Sequence, residues 1–290
     1  MVTLYQEAKT ALRTSLFHPK KRLGQNFLIH ESVIEAILGL IQLSRDDEIL
    51  EIGPGLGFLT RRLTDVARKV WAIEVDPFLA ERLRNSPLGN QPAFTLIQDD
   101  VLKINLAEIL PDHQVKLVAN LPYSILTPVL FRLFEFGEHF SVLVLMVQRE
   151  VAERMTALPG TKSYGTLSVW CQIYGHISDK VSVSPEAFFP RPQVRSTVLK
   201  IKLHPQPLVP QDELPYLQKV VRAAFGQRRK MLANALGSLV KNGRNEAELL
   251  LREAGIDPRR RGETLSVDEF IRLARGTRTA NENSGLSACG

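Results

Sequence analysis

Between Asp47 and Val147 short apolar runs alternate with segments of helical spacing, and the first run ends in Gly53-Pro54-Gly55-Leu56-Gly57. The runs Glu48–Ile52, Val70–Val75, Phe94–Ile97, Val115–Ala119 and Val142–Val147 are strand-like. Phe58–Val66, a segment opened by Pro77, and Pro128–Phe136 have helical patterns. Such β-α alternation predicts a parallel sheet with helices on both faces. Right-handed crossovers then bring the carboxyl ends of the strands to one edge, where ligands of such sheets bind.

Residues at those strand ends carry the chemistry. Glycines closing a strand let the backbone turn sharply and approach a ligand. The spacing G-x-G-x-G at Gly53, Gly55 and Gly57 is not the dinucleotide pattern G-x-G-x-x-G. Glu74 closes the second strand, 21 positions after Gly53; an acid there accepts hydrogen bonds from ribose hydroxyls. Asp100, after the third strand, is placed to accept from an adenine amino group. A lone glycine loop is equally a tight strand-to-helix turn; three strand ends in succession favour a nucleoside site. No Walker lysine follows the glycines, which disfavours a nucleoside triphosphate, and the spacing does not suit a pyrophosphate. The cofactor indicated is S-adenosyl-L-methionine.

Asn120-Leu121-Pro122-Tyr123 follows the fourth strand. The lone pair of an adenine N6 is delocalised into the ring and attacks poorly. Two acceptors on its N–H bonds, the Asn120 side-chain oxygen and the Leu121 carbonyl, would help it pyramidalise. Pro122 stiffens the turn, and Tyr123 offers a ring for base stacking, worth about 1–3 kcal/mol. Taken alone, the tetrapeptide reads as well as a strand-ending turn.

Beyond Val147 the pattern changes. Val181–Val183 and Thr197–Leu203 suit a closing antiparallel pair, with an extended prolyl loop, Phe188-Phe189-Pro190-Arg191-Pro192, between them. The proline-rich stretch from His204 to Pro210 is a linker. Leu214 to Arg275 reads as three or four helices broken at Gly237, Gly243 and Gly262. The expected organisation is a basic N-terminal arm (1–24), a catalytic α/β domain (25–204), a helical RNA-binding domain (205–276) and a disordered polar tail (277–290).

The net charge of +6 is modest but unevenly placed. Five bases against one acid lie between Met1 and Gly24, among them Lys20, Lys21 and Arg22. Five bases and no acid lie between Lys219 and Lys230, among them Arg222, Arg228, Arg229 and Lys230. Such clusters suit RNA, whose counterions they displace, although charge alone equally fits a solvated face. The two cysteines are far apart and the six histidines have no ligand spacing, so neither a disulfide framework nor a metal site is expected. No run approaches the roughly 18 apolar residues of a membrane span. The basic N-terminus, without an apolar signal core, reads as an RNA-facing arm rather than part of an organelle transit sequence.

Eight segments stand in one order: Lys21–Leu28, Glu51–Gly57, Ala72–Asp76, Asp100-Val101, Asn120–Tyr123, Gln148–Val151, Phe188–Pro192 and Phe225–Lys230. Together they closely resemble the small-subunit (16S) ribosomal RNA adenine dimethyltransferases of bacteria, the KsgA/RsmA family, over about Lys20 to Arg275. The resemblance implies a Rossmann-like S-adenosylmethionine-dependent methyltransferase sheet with a small C-terminal all-helical domain. It implies N6,N6-dimethylation of two adjacent adenines near the 3′ end of small-subunit rRNA, in an assembling 30S particle. It implies cofactor contacts at Asn26, Leu28, Gly53, Glu74, Asp100 and Asn120, and stacking of the target base between Tyr123 and Phe188. Phe189 is expected in the core. Ser124, Arg195 and Phe58 depart from the family's usual residues, none at a proposed reacting atom.

Two other readings stay open: an RNA-binding assembly factor with a vestigial cofactor pocket, and an amino-methyltransferase acting on large-subunit RNA or DNA. A monomer in a bacterial cytoplasm is expected, with a plastid stroma the alternative.

Overall fold

The computed structural model describes residues 3–14, 19, 25–121 and 125–283. By its contacts the chain forms two units, one of residues 1–152 and 176–205, the other of 153–175 and 206–290.

The first unit opens with α1 (Leu4–Thr14). Leu4, Ala8, Ala11 and Leu12 recur at helical spacing and are buried. The sequence suggested an RNA-facing arm here. The described part of that segment, α1, is docked on the unit: its apolar side enters the core, Glu7 pairs with Arg61 at 2.9 Å, and Tyr5 meets Phe189 edge-on at 5.5 Å. Lys9 and Arg13 lie on its exposed side.

Then follow β1 (Phe27–Leu28), α2 (Glu31–Ile41), β2 (Glu48–Ile52), α3 (Phe58–Thr64), β3 (Lys69–Ile73), α4 (Pro77–Arg84), β4 (Phe94–Ile97), β5 (Val115–Asn120), α5 (Leu126–Glu135), β6 (Phe140–Gln148), α6 (Arg149–Met155), α7 (Thr166–Tyr174), β7 (Gly175–Val183), β8 (Phe188–Phe189) and β9 (Ser196–Leu203). Seven strands form one sheet in the order β4-β3-β2-β5-β6-β9-β7. From β4 to β6 every pairing is parallel, and β9 closes antiparallel on β6. The apolar runs that build the parallel strands have both faces covered, as parallel sheets require. The chain leaves β2 outward through β3 and β4, then returns to β5 on the other side. The resulting switch point lies between β2 and β5, at whose carboxyl ends a crevice opens. A separate two-stranded ribbon pairs β1 with β8, Phe27 opposite Phe189 and Leu28 opposite Phe188.

In the second unit α8 (Leu214–Gly226), α9 (Leu232–Leu236), α10 (Gly243–Glu253) and α11 (Val267–Asn283) pack with α7. The segment 153–175 belongs here by contact, although the sequence placed 25–204 in one domain. The expected tail of 277–290 is corrected over its first part, where α11 runs through Thr277 to Asn283, and 284–290 lie outside the described residues. Thr277 is buried and its hydroxyl donates to the Leu273 carbonyl, satisfying a polar group that reads as coil in sequence. No helix among the described residues is long and apolar enough to cross a membrane.

Candidate active site

A cavity at the switch point is lined by the ends of β2, β3 and β5, the loop after β4, and the β1–β8 ribbon. It gathers Asn26, Leu28, Gly53, Gly55, Glu74, Asp100, Asn120, Leu121 and Phe188. Of the residues expected at the reacting centre, Tyr123 lies outside the described residues, as do Lys20, Lys21 and Arg22 of the expected RNA set.

The glycine loop is the floor. Gly53, Gly55 and Gly57 all have positive φ, which L side chains rarely adopt. At Gly55 the space is also taken: a Cβ there would stand 3.0 Å from the Phe27 ring. The ribbon thus rests directly on the loop, and β1 delivers Asn26 and Leu28 to the cavity.

Glu74 is held by backbone donors, Gly55 N–H to Oε2 at 3.1 Å and Asp76 N–H to Oε1 at 2.9 Å. Each oxygen keeps a lone pair for a ligand hydroxyl. Burial pushes its carboxyl up from the usual range; the Asp76 and Gly55 N–H groups pull it down and the Asp76 charge pushes it up again. Asp76 caps α4 by accepting from Phe78 N–H and also accepts from the Gln25 amide, each at 3.0 Å. At the next strand end Asp100 accepts from Leu102 N–H at 3.0 Å. The loop behind it is tied to α5 by Arg132, which donates to the carbonyls of Val101 at 3.0 Å and Ile104 at 2.5 Å.

Asn120 donates from Nδ2 to the Asn26 carbonyl at 3.2 Å. That bond fixes which end of the amide is which and leaves Oδ1 as an acceptor. Phe188 is buried in the wall, and Phe189 packs on the core as expected.

Glu51 carried no assigned role in sequence, yet it lines the cavity and is almost fully buried. Burial pushes its carboxyl up to about 8; the nearby Thr60 hydroxyl lowers it and the Glu74 charge raises it. Neither Glu51 Oε2 nor Thr60 Oγ1 reaches a partner at hydrogen-bonding geometry, so desolvation dominates. The signal was an acid inside an otherwise apolar strand, Glu48-Ile49-Leu50-Glu51-Ile52.

Among the described lining residues are four acids, Glu51, Glu74, Asp99 and Asp100, and no Lys, Arg or His. This lining repels a pyrophosphate and attracts a cation. It fits S-adenosylmethionine, whose sulfonium and ammonium are positive and whose ribose and adenine carry hydrogen-bond donors.

In the second unit Arg222, Arg229 and Lys230 are exposed. Arg228 is engaged within the unit: it donates to the carbonyls of Lys162 and Tyr164 at 2.9 and 3.1 Å and pairs with Glu263 at 3.1 Å. These contacts tether it within the helical unit while its side chain stays partly exposed.

A family model described as ribosomal RNA adenine dimethylase matches residues 16–277. Ribosomal RNA small subunit methyltransferase A of Clostridium botulinum is 44% identical over 263 residues, 89% of this chain and 94% of that protein. Among solved structures, a dimethyladenosine transferase from Plasmodium falciparum shares the fold with a TM-score of 0.75 at 23% identity, over 89% of this chain and 98% of that one. The 23S rRNA methyltransferase ErmE is similar with a TM-score of 0.65 at 25% identity, over 87% of this chain and 100% of that one.

Proposed function

The chain belongs to the ribosomal RNA adenine dimethylase family, and from that premise we propose that it dimethylates N6 of two adjacent adenines near the 3′ end of small-subunit rRNA, in an assembling 30S particle. It is an S-adenosylmethionine-dependent rRNA adenine dimethyltransferase. Relatives 40–45% identical are named for the small subunit, which favours that RNA over the large-subunit substrate of ErmE. A monomer acting in the bacterial cytoplasm completes the reading.

The observation that carries it is the convergence of Glu74, Asp100 and an oriented Asn120 on one acid-lined cavity. Bound S-adenosylmethionine supplies a methyl group made electrophilic by its sulfonium. Glu74 takes the ribose diol and Asp100 the adenine amine of that cofactor, while Asn26, Leu28, Gly53 and Gly55 shape its seat. In the first transfer Asn120 Oδ1 and the Leu121 carbonyl accept the two N–H bonds of the target amine, drawing its lone pair out of the ring; the alkylated nitrogen gives up a proton to solvent, and in the second transfer the one remaining N–H is held in the same way. Because the methyl donor is cationic, no charged base is required at the nitrogen, and the residues act by positioning. Phe188, with Tyr123, stacks the extruded base. Exposed Arg222, Arg229 and Lys230, with Lys20, Lys21 and Arg22, hold RNA phosphates.

Undermethylated small subunits incubated with labelled cofactor test the reading. Two dimethylated adjacent adenines in small-subunit rRNA, mapped by mass spectrometry of a nuclease digest, are expected. Label in large-subunit RNA alone, or none in either, would overturn it.

A further inference from the structure

Glu51 differs from every other acid of the cavity. Glu74 has two backbone N–H groups on its carboxylate and Asp100 has one, whereas Glu51 Oε2 has no partner. Its surroundings offer no compensating charge. Glu74 on β3 and Asp99 and Asp100 beyond β4 are all acids, and Asn120 on β5 is uncharged. From α3, packed against this strand end, comes only the Thr60 hydroxyl. The helix's cations are engaged elsewhere, Arg61 with Glu7 and Arg62 with Glu31 and Glu35. A buried carboxylate with an unpartnered oxygen and no counter-charge is neutralised by keeping its proton.

We propose that Glu51 holds a proton in the ligand-free cavity and surrenders it to solvent when the positively charged cofactor enters, so that cofactor binding is coupled to proton release. The carboxyl O–H bond breaks, its proton passes to buffer, and the cofactor's charge takes its place beside the carboxylate. The cofactor's charge makes this exchange favourable: a cation brought next to a buried acid stabilises the carboxylate and lowers its proton affinity, against the desolvation that raised it. Burial lifting this carboxyl to about 8 puts the protonated form in excess at neutral pH. Glu51 thereby acts as a charge filter at the floor of the site, admitting a cationic nucleoside by proton exchange and leaving a neutral one without that gain.

The proposal rests on the cavity being the cofactor site. Titration calorimetry of the whole chain with S-adenosylmethionine, in two buffers of different ionisation enthalpy, counts the protons released. The pH is held between about 6 and 7, below the range of about 7.7–8.0 where an α-amine titrates. Wild type is expected to release close to one proton, and its dissociation constant to fall close to tenfold per pH unit. Glu51→Gln removes both effects. The neutral analogue 5′-methylthioadenosine, which carries neither sulfonium nor ammonium, releases no proton from wild type, a comparison that needs no variant. No proton release from wild type with the cofactor, the same release from Glu51→Gln, or equal release with the neutral analogue would overturn the exchange. Failure of the underlying site assignment shows separately, as Glu74→Ala binding the cofactor as tightly as wild type.

Discussion

The amide of Asn120 is held by the backbone of Asn26, from Nδ2 to the carbonyl oxygen at 3.2 Å, across 94 residues of sequence. The bond joins the end of β5 to the segment that precedes β1, so the expected catalytic acceptor is aimed by backbone that lines the same cavity. Asn120→Ala removes the acceptor and is expected to lower single-turnover methyl transfer by about 10²–10³, the scale for losing one oriented polar group at a reacting centre. RNA affinity should be unchanged. Asn120→Asp keeps an acceptor but sets a carboxylate against the Asn26 carbonyl, and it should not restore turnover. An equal loss of RNA binding and turnover in Asn120→Ala would contradict the role.

Arg132 clamps the loop that follows Asp100. Its guanidinium spans the carbonyls of Val101 and Ile104 while lying over the Phe136 ring at 5.2 Å. One planar fork thereby fixes the loop after Asp100 to the helix that follows the Asn120 segment. Arg132→Ala is expected to weaken cofactor binding by at most about 1.5–3 kcal/mol, the net value of a charged hydrogen bond. Arg132→Lys, a point charge without the fork, should recover only part. A lowered melting temperature with an unchanged dissociation constant by calorimetry would make the clamp structural only.

Much of this site was legible because its signals are local. Glu48–Ile52 and Phe94–Ile97 are apolar runs cut off by a glycine or by acids, and the strands occupy those same residues. Glu74, Asp100 and Asn120 each close such a run. The β1–β8 ribbon left no trace, since a two-residue strand has no period to read. Glu31–Ile41 also escaped, being apolar on several sides and without a side-chain cap. The contacts of Arg228 escaped for a different reason. It sits in a basic run, but its partners Lys162 and Tyr164 are 66 and 64 residues away, and only the folded chain brings them together.

That inward turn separates Arg228 from its neighbours experimentally. Arg228→Ala removes two carbonyl contacts and the Glu263 pair, and should destabilise the helical unit by about 1–2 kcal/mol. The slope of RNA affinity against salt should stay as it was. Arg229→Ala and Lys230→Ala, both at exposed positions, should leave the melting temperature in place, weaken RNA binding and reduce that slope by about one charge each. Filter binding between low and moderate salt, with thermal melts beside it, tells the two behaviours apart. A reduced slope in Arg228→Ala with no loss of stability would return it to the RNA surface.

Glu51 also gives the unliganded protein a pH signature. Its carboxyl is ordinary in the unfolded chain, at 4.5, and is lifted to about 8 when folded. Below 4.5 both states hold the proton and burial brings no differential penalty. Between 4.5 and 8 the unfolded chain ionises first and the folded chain binds more protons, so this group makes stability fall as pH rises. Above 8 the penalty is complete. Glu74, also raised by burial, acts in the same sense. Glu269, lowered by its hydrogen bond from Arg260, acts oppositely, adding stability that is lost on acidification. Those contributions are shared by wild type and Glu51→Gln, so their difference isolates Glu51. The variant is expected to gain on wild type progressively from pH 5 to 8, reaching a few kcal/mol at most. Paired chemical denaturation at pH 5, 6.5 and 8 reads the difference. A gap that does not widen with pH would mean that Glu51 is ionised throughout.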